Sequence, residues 1–305
     1  MNNIPILILT FNRLNPVITL INKLRILKPK NIYVVSDGPR NGKEKELINE
    51  IREKILTSID WDCQIHTRFR TENFGCKYGV HDGVQWFFSQ VEQGIVLEDD
   101  CIPDMSFFSY CHKLLIRYKD DFRIGSISGR NELGNSGTED VLFISKFICW
   151  GWASWSNRVN QFDIEYGYKR KDDIKLAGLS YIEKLHLKSM RGSMLTKQVN
   201  SWAFSYDFSF RENKQLCVIP SHNLVSNIGF GVEGTHSSSR VLDGVDIYSF
   251  EDLSIPEIIE NNTDYLDKLI LKLYPLPKLL LLSKIKYLYH FRNLYKKICR
   301  FKNVK

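Results

Sequence analysis

No apolar run in this 305-residue chain is long enough to cross a bilayer, and the first one, residues 4–9, is short and has no basic stretch ahead of it. Neither a signal peptide nor a spanning helix is therefore expected. The seven cysteines, Cys63, Cys76, Cys101, Cys111, Cys149, Cys217 and Cys299, never fall into CxxC spacing. That argues against a zinc site and against a disulfide framework, and the thiols read as the reduced cysteines of a cytosolic protein. Internal repeats and low-complexity segments are missing as well. Disorder and fibrous classes are excluded by a hydrophobic content of 43%, enough for one large core or two modest ones.

Acidic residues are missing from one region only. From Lys268 to Lys305 there are eleven Lys and Arg and no Asp or Glu, which leaves 31 basic against 35 acidic residues elsewhere. The net charge of +7 is thus a basic tail on a mildly acidic body, and it does not by itself indicate a nucleic-acid partner.

What is present is an alternation of strand and helix. Residues 4–9 read as a buried strand, and Leu14, Val17, Ile18, Ile21 and Leu24 keep helical spacing after it, with Asn12 or Asn15 to cap and Pro16 in the first turn. A strand over 31–36 stops at Asp37-Gly38-Pro39, a turn sequence. A helix over 43–56, a strand over 63–69, a helix over 78–91 and a strand over 94–97 follow. This pattern predicts an α/β fold with a mostly parallel sheet and helices on both faces. Later elements are fainter: strands over 141–147 and 216–219, and an aromatic run over 150–155.

Ligands of such sheets bind beyond the carboxyl ends of the strands. The residues there are polar: 10–13 after the first strand, Asp37 after the second, 70–73 after the third, and Glu98-Asp99-Asp100 after the fourth. Three adjacent carboxylates ending the apolar run GIVL repel one another unless a cation gathers them or water screens them. A hard divalent ion, Mg or Mn, shared with a diphosphate fits the first case. A solvated turn fits the second. Asp207 is another candidate, a lone carboxylate among Trp202, Phe204, Tyr206, Phe208 and Phe210, where apolar surroundings favour a general base and a helix-capping role is the alternative.

IVLEDD resembles the acidic DxD-type motif of GT-A-fold glycosyltransferases, and most of the first 240 residues are similar to the N-acetylglucosaminyltransferase I family. The likeness runs in order through PILILTFNR, YVVSDG, NFGCKYGVHDGVQWFF, IVLEDD, PDMSFFSYC, ISGRNELG, FICWGWASW and LCVIPSHNLVSNIGFGVEGTH. It implies a GT-A, Rossmann-like fold and a metal-dependent, inverting transfer of a sugar from a nucleotide-sugar donor, UDP-linked by family expectation, to a hydroxyl of a glycan or lipid-linked glycan. Carried over to this chain, it implies that Asp100 ligates the metal, with Asp99 and Glu98 facing the ribose and the donor sugar. Thr10, Phe11, Arg13 and Asp37 would hold the nucleotide, and Arg70 and Lys77 are cations available for the diphosphate. Asp207 matches the family's general base, although the acid expected before it is Tyr206 here. His236 would touch the diphosphate or metal, and Gly151 and Trp152 lie on the acceptor side.

No convincing linker appears before about residue 261, so the simplest partition is a catalytic domain over 1–262, with a nucleotide-sugar half to about 130 and an acceptor half after it, and a basic segment over 263–305. In that segment Leu281, Ile285, Leu288, Phe291, Tyr295, Ile298 and Phe301 recur at steps of three and four beside seven basic residues. Such a helix suits an anionic membrane surface and predicts a peripheral protein on the cytoplasmic face. Packing on the chain's own acidic body is the alternative. Two other functions compete with the main one. A sugar nucleotidyltransferase also needs an acid after a strand, but TFNRLNP lacks the glycine-rich loop it should carry. A non-catalytic membrane-associated binding module is the other.

Overall fold

β1 (Ile6–Thr10) is buried at every position, and α1 (Leu14–Leu27) turns Val17, Leu20, Ile21 and Leu24 onto it. The alternation continues through β2 (Asn31–Ser36), α2 (Gly42–Ser58), β3 (Gln64–Phe69), α3 (Gly75–Gln90) and β4 (Gln93–Glu98). The computed structural model describes residues 3–134, 140–166, 176–196, 199–229 and 253–284. β1 pairs in parallel with β2 on one side and β4 on the other. Successive strand residues point to opposite faces, so Ile6 and Ile8 enter one core layer with α1, while Leu7 and Leu9 enter the other with Val84 and Phe87 of α3. Helices therefore cover both faces, as the hydropathy pattern predicts.

The second half builds onto the same sheet. It supplies β5 (Cys101–Pro103), α4 (Met105–Arg117), β6 (Ile124–Ser128), β7 (Val141–Ile144), β8 (Trp152–Trp155) and α5 (Ser156–Val159). Then come α6 (Tyr181–Leu195), α7 (Trp202–Glu212), β9 (Leu216–Pro220), β10 (Val225–Asn227), α8 (Thr263–Leu273) and α9 (Leu276–Ser283). The large sheet has eight strands in the order β3-β2-β1-β4-β8-β6-β9-β7, and β5 and β10 form a separate two-stranded ribbon. β8 runs antiparallel between β4 and β6. The aromatic run around residues 150–155 is thus a central strand, and Trp152 is 0% exposed among Phe88, Phe147 and Trp202.

The domain boundary expected near residue 262 is crossed by the core. Leu266, Leu269 and Ile270 of α8 and Leu279 of α9 are fully buried in the same layer as Leu7 and Phe87. Asn262 caps α8 by accepting from Tyr265 N–H at 2.9 Å, and the Tyr265 hydroxyl donates to Asn131 at 2.7 Å. A core position is worth more to folding than an interfacial one, so the first part of the basic segment is structural. Residues 285–305, with the rest of the apolar stripe, lie outside the described residues.

Leu269→Ala should cost about 2–5 kcal/mol of stability, the usual range for a large-to-small change at a fully buried site. Urea denaturation followed by circular dichroism measures it. A loss under about 0.5 kcal/mol, the range of ordinary surface substitutions, would place α8 outside the cooperative core.

Candidate functional site

The strand order reverses beside β1: β2 and β3 lie on one side of it and β4 on the other. Parallel sheets leave a crevice at that switch, outside the carboxyl ends of the strands. A cavity of about 240 Å³ occupies it. Register explains why polar groups converge there. Thr10 stands opposite Ser36 and Leu9 opposite Glu98, and the ladder continues past the strand ends as Asp99 N–H donates to the Leu9 carbonyl at 2.9 Å.

Arg13 precedes α1 with extended backbone and no side-chain cap. Its guanidinium bonds the Asp99 carboxylate through Nη2, and its Nη1 lies 2.9 Å from Asp100 Oδ2. Thr10 Oγ1 donates to the other Asp99 oxygen at 3.0 Å. Burial, then the neighbouring Asp100 and Asp99 carboxylates, pushes Glu98 up to about 8, with Arg13 pulling the other way. Burial pushes Asp99 up to about 6 against the pull of Arg13 and Thr10.

The opposite wall comes from the turns after β2 and β3. Asp37 accepts from the N–H groups of Gly38, Phe74 and Gly75 at 3.0, 3.0 and 2.9 Å. That clip starts α3 at Gly75, which has φ 72°, a left-handed conformation that suits glycine. It also moves the helix start ahead of residue 78, where periodicity alone put it. Arg70 is 7% exposed and reaches Asp82 at 2.6 Å, the Gly79 carbonyl at 2.9 Å and Asp37 at 3.6 Å, while its Nε has no partner. Arg40 stacks over Phe11 at 5.0 Å.

Of the residues singled out from sequence, Thr10, Phe11, Arg13, Asp37, Arg70, Glu98 and Asp99 line this one cavity, and Asp100 joins it through Arg13. Others lie elsewhere. Lys77 is buried against Glu165 at 3.3 Å. Asp207 is 1% exposed and accepts from Phe147 N–H at 2.9 Å and from Lys146 at 3.3 Å. It anchors the segment after β7, so its aromatic setting marks a core ion pair and no open face for an acceptor. Trp152 has no ring face free for a sugar, and Gly151 packs under Val225 with φ 64°. His236 lies outside the described residues.

Arg40, Asn73 and Cys76 also line the cavity. The rule that sites form after strand ends would have reached Arg40, but nothing in the sequence marks the first turn of α3 as a wall.

Three adjacent carboxylates, two of which, Glu98 and Asp99, have their proton affinities raised chiefly by burial, fit a hard divalent cation in charge and ligand type. In the present arrangement no three His, Cys, Asp or Glu among the described residues are placed to share one ion. Arg13 holds the two aspartates instead.

No protein-family model matches the chain, and no curated protein matches it in sequence. Some solved structures are weakly similar. A 4-diphosphocytidyl-2C-methyl-D-erythritol synthase from Anaerococcus prevotii is 10% identical with a TM-score of 0.36, covering 78% of this chain and 92% of that one. An apo UDP-glucose pyrophosphorylase is 11% identical with a TM-score of 0.37, covering 70% and 90%. A UDP-glucose pyrophosphorylase complexed with UDP-glucose is 8% identical at the same TM-score of 0.37, covering 72% and 90%. By name these three are not N-acetylglucosaminyltransferases, the family that the motifs resemble. Likeness at this level carries no argument about activity.

Glu98 and Asp99 bind protons more tightly in the folded chain than at their ordinary values of 4.5 and 3.8. The stability this contributes is full below about pH 4 and is lost as pH rises through 6 and then 8. Glu98→Gln, which cannot ionise, should flatten that decline by roughly 1 kcal/mol per pH unit between pH 5 and 8. Thermal melting in EDTA should put the variant above the wild type at pH 8 and level with it near pH 4.5. Parallel curves for the two proteins would refute the raised proton affinity.

Proposed function

We propose that the cavity at the switch point binds a nucleoside-diphosphate sugar and that the protein is a glycosyltransferase using it as donor. The supporting observation is the meeting of Arg13 and Arg70 with Glu98 and Asp99 in one crevice at the carboxyl ends of β1, β3 and β4. Guanidinium groups suit a diphosphate because their paired N–H donors match its oxygens. The aliphatic and aromatic wall formed by Leu9, Phe11, Val35 and Val80 suits a nucleoside, and uridine is the base we assign. A divalent ion, Mn or Mg, held by Asp100 with its acidic neighbours would neutralise charge on the departing diphosphate. Arg70 orients that diphosphate, and Asp37 fixes the wall behind it by tying the β2 turn to α3. Asp207 takes no part in proton transfer in this reading, because Lys146 and Phe147 already occupy its carboxylate.

The second reading is a sugar nucleotidyltransferase, the activity named for the pyrophosphorylases above. Its phosphate loop would have to come from the turn after β1. There α1 begins at Leu14 with no glycine before it, and the Arg13 side chain is directed at carboxylates. This favours the transfer of sugar. Incubation with a panel of nucleotide sugars in manganese separates the two. A glycosyltransferase releases nucleoside diphosphate, by slow hydrolysis or with an acceptor, whereas a nucleotidyltransferase forms nucleoside triphosphate only when pyrophosphate is added. Arg70→Lys, which loses the planar fork, should weaken UDP binding by about tenfold in calorimetry. Formation of triphosphate alone would transfer the assignment to the second reading.

For the acceptor we propose a lipid-linked glycan at an anionic membrane surface. No helix among the described residues is long and apolar enough to cross a membrane. α9 nevertheless exposes Leu276, Leu280 and Leu281 at 40%, 37% and 63%, and Lys278 and Lys284 flank them. Basic residues near anionic lipid are worth about 1 kcal/mol each. Full-length protein should sediment with phosphatidylserine vesicles at low salt, and a chain ending at Lys284 should bind them more weakly. Equal sedimentation of the two would confine any lipid contact to α9 and the body.

A further inference from the structure

We propose that Arg13 is a latch on the acidic triplet, which frees Asp99 and Asp100 for a divalent cation only when the anionic part of a ligand draws the guanidinium away. The inference rests on the donor-site reading above and deepens it by coupling two ligands. Every oxygen of the two aspartates is engaged. Asp99 accepts from Arg13 Nη2 and from Thr10 Oγ1 at 3.0 Å. Asp100 Oδ2 lies 2.9 Å from Arg13 Nη1, and its Oδ1 accepts from Asn227 Nδ2 at 3.3 Å. A cation bound to the same oxygens would lie against a guanidinium that cannot lose its proton, so the two positive charges compete for one position.

The rest of the fold is shaped around the closed latch. β10 pairs with β5 so that Asn227 stands opposite Cys101, and Ile228 N–H donates to the Asp100 carbonyl at 2.9 Å. This seats Gly229 on the ion pair. A methyl group at Gly229 would come 2.1 Å from Asp100 Oδ2 and 2.9 Å from Arg13 Nη1, so the pair closes because that position carries no side chain.

An independent feature of the cavity calls for an anion. Arg70 is 93% buried, lines the same cavity, and its Nε has no partner. Arg13 keeps 21% of its side chain exposed, so it can turn into the cavity toward a diphosphate that offers paired oxygens. Such a diphosphate would satisfy Arg70 as well. Binding of nucleotide and cation is then cooperative, and the coupling is reciprocal.

Manganese binding, followed by the electron paramagnetic resonance signal of the free ion, tests this in the wild type, Arg13→Gln and Gly229→Ala, each with and without UDP. UDP should tighten manganese binding to the wild type at least tenfold. Arg13→Gln should bind manganese without UDP at least tenfold more tightly than the wild type, and UDP should add little. Gly229→Ala, which props the latch open, should shift in the same direction and carries the comparison if Arg13→Gln melts out. Equal manganese affinity of all three proteins without UDP would overturn the latch while leaving the donor site intact. UDP binding with no manganese binding in any protein would overturn both the latch and the cation assignment. Failure of UDP to bind at all would overturn the donor-site reading.

Discussion

Three carboxylates in succession at the end of a buried strand repel one another and lose hydration, and the structure compensates them chiefly through one guanidinium, which binds the two aspartates. Arg13 belongs to the turn after β1, whereas the triplet follows β4. The pairing therefore exists only because β1 and β4 are parallel neighbours in register. That register in turn requires the crossover through β2, α2, β3 and α3 to return the chain to the other side of β1. Charge compensation at the site and the winding of the sheet are thus one constraint. Compensation is incomplete: burial and mutual repulsion still hold Glu98 and Asp99 well above the ordinary carboxylate range. A site whose acids are only partly compensated is suited to exchange partners when a ligand arrives.

The second half of the chain works as a buttress. β8, β6, β9 and β7 widen the sheet beyond β4, and α7 and α8 seal the layer behind it with Tyr206, Phe210, Leu266 and Leu269. Polar residues there are absorbed by packing. Asp207 binds Lys146 and a backbone N–H, and Glu183 pairs with Arg211 at 3.0 Å while closing the capping box of α6. Breaking such a buried pair from one side leaves an uncompensated charge and costs several kcal/mol, about 3–5. Substitutions at Asp207 would therefore report on folding before they reported on catalysis. The resemblance to a family with an acid at this place is not supported by the surroundings this chain gives it.

Much of the site was legible because parallel α/β sheets expose their strand ends, and a strand end is a local feature. The polar residues after β1, β2, β3 and β4 were all named from that rule, and seven of the singled-out residues share one cavity. Errors concentrated where local pattern and environment part company. The resemblance places Gly151 and Trp152 on the acceptor side, yet they belong to an aromatic run that forms a strand in the middle of the sheet. Lys77 lies on α3 as a free cation in sequence, but Glu165, 88 positions later, neutralises it. The segment after residue 262 read as an appendage because its basic residues dominate the composition, while four of its apolar side chains were decisive for packing.

The sequence by itself determined the alternation of strands and helices, the two faces of β1, and the placing of three acids at the end of β4, because each follows from periodicity and composition within a few residues. Only the tertiary structure decided which charge meets which. Arg13 reaches Asp99 across 86 positions and Asp37 reaches Gly75 across 38, and no local pattern encodes those distances. The partner of a charged side chain is set by strand order and register, which are properties of the whole sheet, so the chemistry of this crevice becomes readable only once the sheet is assembled.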